Sequence, residues 1–250
     1  MTQESPILAL IILLAFLVLF LLFFYRVKAG HIPQLRRIQG FDLIESFSSR
    51  TIETGRPLHI SLGLGSTVNA TTADSLAGLS TLKHMARQGA VTGVSPIVSM
   101  ADPTVMLFAQ NSLRAAHGED VYGAKNALRH VRWIAPQPAA YAAGVMSLLN
   151  MDHAGANVMV GQFGDEYLLM GEAAVRDEIA HVGGTSNPNT LPYIYVSAQE
   201  TLLGEEIYAA GAYLQKEPTY LGGLLAQDTI RWTVAALMLG GVVLASLGWW

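Results

Sequence analysis

Twenty consecutive residues, PILALIILLAFLVLFLLFFY from Pro6 to Tyr25, carry no charge. A helix of that length spans roughly 30 Å, the thickness of the hydrocarbon layer of a bilayer. A cleaved signal peptide would need a basic head, a shorter apolar run and a small-residue cleavage site. Here the head, MTQES, is acidic, and the basic residues Arg26, Lys28, Arg36 and Arg37 follow the run. The pattern reads as an anchor with its N-terminus outside. A second uncharged run, WTVAALMLGGVVLASLGWW, occupies Trp232 to Trp250. Its alternative is a buried apolar hairpin helix, but tryptophans at both ends suit a second crossing with Trp249 and Trp250 at the headgroups.

The positive-inside rule then orients the chain in the cell membrane. The basic cluster after the first run, with Lys216 and Arg231 before the second, puts residues 26–231 in the cytoplasm and both termini outside. Neither run carries a charge, so a transporter's polar pathway is not expected. Only 14% of residues are charged, against about 25% in a typical soluble domain. The absence of cysteine excludes disulfides, thiolate metal sites and thiol nucleophiles. A net charge of −4 without a basic stripe argues against nucleic acid as a partner.

Between the runs, short stretches rich in Val, Ile and aromatics alternate with helical patterns. The expected strands are Leu58–Gly65, Ser95–Ala101, His130–Ala135, Ala156–Phe163 and Pro192–Ala198. The expected helices are Thr72–Gln88, Pro103–Ala116, Pro138–Met151, Glu166–Val182 and Gln199–Gln215. Asp102–Pro103 reads as a helix N-cap with proline at the first helical position, and Gly183–Gly184 as a C-terminal cap. GGTSNPNTLP, Gly183–Pro192, is long enough for a flap. Five alternations predict an α/β fold: a Rossmann-like three-layer sandwich with a mainly parallel sheet of about five strands, flanked by N- and C-terminal transmembrane helices. The boundaries expected are 1–30 for the first anchor, 31–57 for a juxtamembrane amphipathic segment, 58–217 for the cytoplasmic domain and 218–250 for the second transmembrane helix. In 31–57, Phe41, Ile44 and Phe47 share a helical face. That face suits either anionic lipid or the surface of the domain.

The stretch HISLGLGSTVNATTAD, His59–Asp74, holds the only approach to a nucleotide motif. A dinucleotide fingerprint, G-x-G-x-x-G, would use Gly63 and Gly65, but its third position is Val68. A structural turn is the preferred reading; the alternative is an anion site at the helix N-terminus with Ser66, Thr67 and Asn69 as donors. Ser66 lacks the flanking glycines of a nucleophile elbow. Asp165 and Glu166 are paired carboxylates at a strand-to-helix turn, where helix capping competes with cation or acid–base chemistry. The seven histidines show no metal spacing, and His59 reads as a core or edge histidine. No cofactor is expected.

Any ligand of a parallel sheet sits beyond the strands' carboxyl ends. The candidate binding rim there is Ser66, Thr67, Asn69, Asp102, Gln137, Gln162, Asp165, Glu166, Gln199 and Glu200; it lacks a base–nucleophile pair. Two stretches suggest association instead. Pro138–Met151 is apolar nearly all round. The second uncharged run carries small residues at Ala236, Gly240, Gly241 and Ala245, which allow close helix approach, either to the first run or to another copy.

The phrases PIVSMADPTVMLFAQNSLRAAHG, VRWIAPQPAAYAAGVMSLL and GANVMVGQFGDEYLLMGE resemble bacterial membrane proteins grouped as domain of unknown function 6754, over most of Phe41–Gln215. The resemblance implies a membrane-bound α/β domain and brings no activity, cofactor or catalytic residue. The expectation is therefore a non-enzymatic, membrane-anchored, self-associating scaffold: a homo-oligomer, with other membrane subunits as further partners. The alternative is a membrane-bound sensor or enzyme holding a small ligand or nucleotide at the rim.

Overall fold

The structure, a computed structural model, describes residues 6–246, with side chains from Ala9 onward. The acidic head and Trp249–Trp250 lie outside the described residues. The chain divides into two units: Arg36–Gln215, and the segments on either side of it.

In the central unit, six strands form one parallel sheet in the order β3-β2-β1-β4-β5-β6. They are β1 (Leu58–Gly63), β2 (Ile97–Met100), β3 (Val131–Trp133), β4 (Ala156–Gln162), β5 (Ala180–Thr185) and β6 (Glu200–Leu203). Ile60, Leu62, Val98, Val158, Val160 and Val182 are fully buried, as expected for strands covered on both faces. On one side lie α2 (Gln39–Thr54), α3 (Thr72–Thr92), α4 (Pro103–His117) and α5 (Val121–Leu128). Leu62 lies against Gly78 of α3 there. On the other side are α6 (Pro138–Met151), α7 (Glu166–Arg176) and α8 (Leu191–Ser197), around a core of Tyr141, Val145, Met159, Phe163, Tyr167, Met170 and Ile194. The strand alternation sends Ser61 and Met159 to this second face and their neighbours to the first.

Three expectations are corrected. The run Pro192–Ala198 is not a strand: Pro192 opens helix α8, whose only buried residue is Ile194. The fifth strand is instead AHVGGT, expected to be the end of a helix and its cap. Its glycines answer to packing: a Cβ on Gly183 would stand 2.0 Å from the Tyr167 hydroxyl. Thirdly, Glu200–Leu203 is a sixth strand rather than the start of a helix. The chain continues as one 3-10 stretch, Gly204–Ala209, and a wider turn, Gly211–Gln215. The helix α6, apolar in sequence, buries Tyr141, Ala142, Val145, Leu148 and Leu149 and leaves mostly small residues outward.

Helix α2 belongs to the central unit. Its Phe41, Ile44 and Phe47, the face that suited lipid or domain equally, are all buried within it. Phe41 stacks on Tyr213 at 5.0 Å, the Tyr213 hydroxyl donates to the Arg36 carbonyl at 2.6 Å, and Arg36 pairs with Glu206 at 2.6 Å. The chain thus enters and leaves this unit at one place.

The second unit contains α1 (Pro6–Lys28) and α9 (Pro218–Ser246), both long and apolar enough to cross a membrane. Arg26 and Lys28 sit in the last turn of α1, where cations complement the helix dipole. The two helices pack where Gly222 lets Phe24 come close: a Cβ at Gly222 would be 3.0 Å from the Phe24 backbone nitrogen.

Candidate functional site

The strand order reverses between β1 and β4, so the place to look is beyond their carboxyl ends. Gly63, with φ of +75°, ends β1 in the left-handed region, and a Cβ there would lie 2.2 Å from the Gln162 carbonyl. That carbonyl accepts from the Leu64 N–H at 2.8 Å. Gly63 therefore serves the close approach of two strands, in keeping with a structural turn.

The rest of the loop is spent on itself. The Ser66 N–H donates to Thr71 Oγ1 at 2.9 Å, and the Ser75 hydroxyl donates to the Ser66 carbonyl at 3.1 Å. Asn69 Oδ1 accepts the Thr71 N–H at 2.9 Å and its hydroxyl at 2.6 Å. The Thr67 hydroxyl donates to Thr104 Oγ1 at 2.8 Å. Asp102 caps α4, accepting from the Thr104 N–H at 2.7 Å, from the Thr104 hydroxyl and from the Val105 N–H at 3.4 Å. Burial works to raise the Asp102 pKa, but these hydrogen bonds and one from Ser66 outweigh it and hold the carboxyl below its ordinary range.

At the start of α7, Asp165 makes no side-chain cap bond. Glu166, buried, folds back to accept the Gly164 N–H at 2.7 Å. Gln162 lies at the end of β4, in contact with the β1 turn through its carbonyl. Glu200 does not join the rim. It opens β6, beside Val182, and Gln199 donates its N–H to the His181 carbonyl at 3.0 Å, so both lie at the amino end of that strand.

Residues that sequence reasoning passed over complete the rim. Asp74 Oδ1 accepts the hydroxyls of Ser186 at 2.7 Å and Tyr208 at 2.6 Å. Asn187 Nδ2 and the Thr190 hydroxyl both donate to the Phe163 carbonyl at 2.8 Å. The expected flap is thereby pinned at three points. Asp74, inside an ordinary helix-start pattern, and Tyr208, 134 residues further on, carry no signal linking them in sequence.

Beneath the rim, under α6 and α7, runs a buried polar row. His59 bonds Asn157 Oδ1 through Nδ1 at 2.7 Å and Ser99 through Nε2 at 3.0 Å. The Tyr141 hydroxyl lies 2.7 Å from Ser61 and 3.2 Å from Ser99, and Tyr167 meets His181 Nε2 at 2.8 Å. Burial lowers the His59 pKa to about 4, against the opposing bond from Asn157 and the field of Asp152. Burial, helped by His59, lowers that of His181 to about 3. Burial raises Tyr141 to about 12 and Tyr167 further. All four are neutral near pH 7, a hydrogen-bonded framework rather than a set of proton donors and acceptors poised for chemistry. Among the described residues no group of three His, Asp or Glu side chains is placed to hold a metal ion.

Fold and site together define a class: an α/β unit on a parallel six-stranded sheet, between two helices long enough to span a bilayer. Within that class, the chain belongs to the family described as domain of unknown function (DUF6754), which it matches over residues 2–250. No curated protein and no solved structure matches it.

Proposed function

We propose that the chain is a two-pass membrane protein whose Rossmann-like cytoplasmic unit associates with copies of itself as a scaffold, without catalysis or cofactor. The strand order 3-2-1-4-5-6 is that of doubly wound folds, which supports the Rossmann comparison. Basic residues at Arg26, Lys28, Arg36 and Arg37 support a cytoplasmic unit with both termini outside.

The observation that carries self-association is on α9. Among the described residues, nothing lies within 4 Å of where a Cβ on Gly240 or Gly241 would stand, and Leu237, Leu239 and Val242 beside them are exposed. The small residues Ala236, Gly240, Gly241 and Ala245 are thus not used up on α1 and suit a second helix. Further membrane subunits would meet the same face. The test is the native mass of the full chain extracted in mild detergent. An oligomer is expected at micromolar concentration; a monomer overturns the reading.

A second reading keeps a small ligand at the rim of Ser66, Thr67, Asn69, Asp102, Gln162, Asp165 and Glu166. Its support is the position of these residues at the β1/β4 reversal. A thermal-shift screen of nucleotides and divalent ions, repeated on Asp102→Ala, checks it; silence across the panel removes it.

A further inference from the structure

The pairing of α1 with α9 sets a depth for each residue of α9. Phe24 meets Gly222. A turn earlier on α1, Leu19 and Phe20 are half-buried; a turn later on α9, Ala226 is fully buried, and Thr229 and Ile230 are half-buried. Burial that runs backward on one helix and forward on the other marks an antiparallel pair. At a rise of about 1.5 Å per residue, Asp228 then stands about level with Val18 and Arg231 about level with Ala15.

The uncharged run of α1, Pro6–Tyr25, seats in the hydrocarbon layer in one way only, because it equals the layer in thickness. The stretch of α9 at the same depth runs from about Leu221 to about Gly240. It therefore includes Gln227, Asp228 and Arg231, all upstream of the uncharged run Trp232–Trp250. Seating Trp232–Trp250 instead would lift Phe16, Phe20, Phe23 and Phe24 of the paired helix into water.

Arg231 lies nine residues, about two and a half turns, beyond Gly222, and so on the face of α9 opposite α1. Ionisable side chains at such depth face a helix bundle or pair with one another. Asp228 and Arg231 are three positions apart and neighbours on the helix surface. An acid and a base so placed are complementary to the same pair on a second copy related by a two-fold axis along the bilayer normal.

We propose that Gln227, Asp228 and Arg231 form an intramembrane polar site, at which Asp228 of one chain meets Arg231 of a second copy and the reverse. The occupant rests on the self-association reading; the depth does not. This replaces the expectation that the membrane segments hold no charge.

The cysteine-free chain allows a direct test of depth. In native membranes, Gln227→Cys should react with a membrane-impermeant maleimide at least tenfold more slowly than after denaturation, as should Leu237→Cys. Labelling of Gln227→Cys at the denatured rate overturns the site. The occupant is tested by native mass. Asp228→Asn and Arg231→Gln should each weaken association at least tenfold, and the exchange Asp228→Arg with Arg231→Asp should restore it. Wild-type association in both single variants overturns the pairing. A monomeric wild type overturns self-association and the pairing with it, leaving the depth to the labelling result.

Discussion

The central unit and the α1–α9 pair solve opposite problems. In the first, polar groups are taken out of water and given to one another: Asp74 to Ser186 and Tyr208, Asp102 to Thr104, His59 to Asn157 and Ser99. Among the described residues the exceptions include Asn157 Nδ2 and His181 Nδ1, which sit at paired positions of β4 and β5, and single atoms of His130, Asp152, Asp177 and Gln215. In the second unit, apolar groups stand uncovered: Leu10 to Leu14 on α1, and Leu237 to Leu244 on α9, are all about half exposed or more where they are large. One unit is closed by its own hydrogen bonds. The other leaves apolar surface exposed on a scale that marks an interaction site.

Acid should break the closed unit most severely. His59 and His181 have folded-state pKa values of about 4 and about 3, below the ordinary value of about 6.5. With depressed values, the unfolded chain binds protons first, so stability is fully present above pH 6.5 and is lost as pH falls toward 4 and 3. The groups facing His59 are Asn157, Ser99, Asp152, Arg132 and His181; the bond to Asn157 and the charge of Asp152 favour its cation, and burial outweighs both. Denaturant unfolding at pH 5 should show on the order of 4 kcal/mol less stability than at pH 7, at 1.36 kcal/mol per unit per group. His181→Gln should cut that difference by about half, while α1 and α9, without histidine, should keep their helicity.

Next in size is Gly63→Ala. The methyl would meet the backbone carbonyl of Gln162, which cannot swing away, at a φ that alanine resists. A loss of about 3 kcal/mol or more is expected in unfolding of the full chain. A smaller effect follows from Asp102→Ala, which removes the cap of α4: about 1 kcal/mol. If Asp102→Ala instead left stability untouched and abolished a nucleotide-induced thermal shift, the rim would be a binding site and the contrast between the units would soften.

The architecture was legible where local chemistry and tertiary position agree. Asp102–Pro103 starts a helix in sequence and in structure, and four of the expected strands are present. It was illegible where packing overrules composition. HVGGT has poor strand character, yet it lies at the centre of the β4–β6 half because the Tyr167 hydroxyl occupies the room a Gly183 side chain would take. YIYV has good strand character, yet Pro192 and the tie from Thr190 to the Phe163 carbonyl start a helix there. Exchanging those two identities moved Glu200 from the tip of a strand to its start. The Asp74–Ser186–Tyr208 contact joins three elements far apart in the chain, and no spacing announces it.

The smallest effect on folding, and the sharpest test of the open unit, is expected from Gly241→Leu. Among the described residues nothing lies within 4 Å of a Cβ there, so the added side chain strains no contact with them. Leucine also replaces a residue poorly suited to a helix interior, so α9 itself should be no weaker. The unfolding midpoint of the central unit should therefore stay at its wild-type value. Association is different, because a leucine keeps two backbones apart where a glycine lets them touch. Cross-linking yield in membranes should fall while the midpoint holds. A variant that cross-links as well as wild type would show that this face of α9 meets only lipid, and that the copies, if they meet, do so through the closed unit.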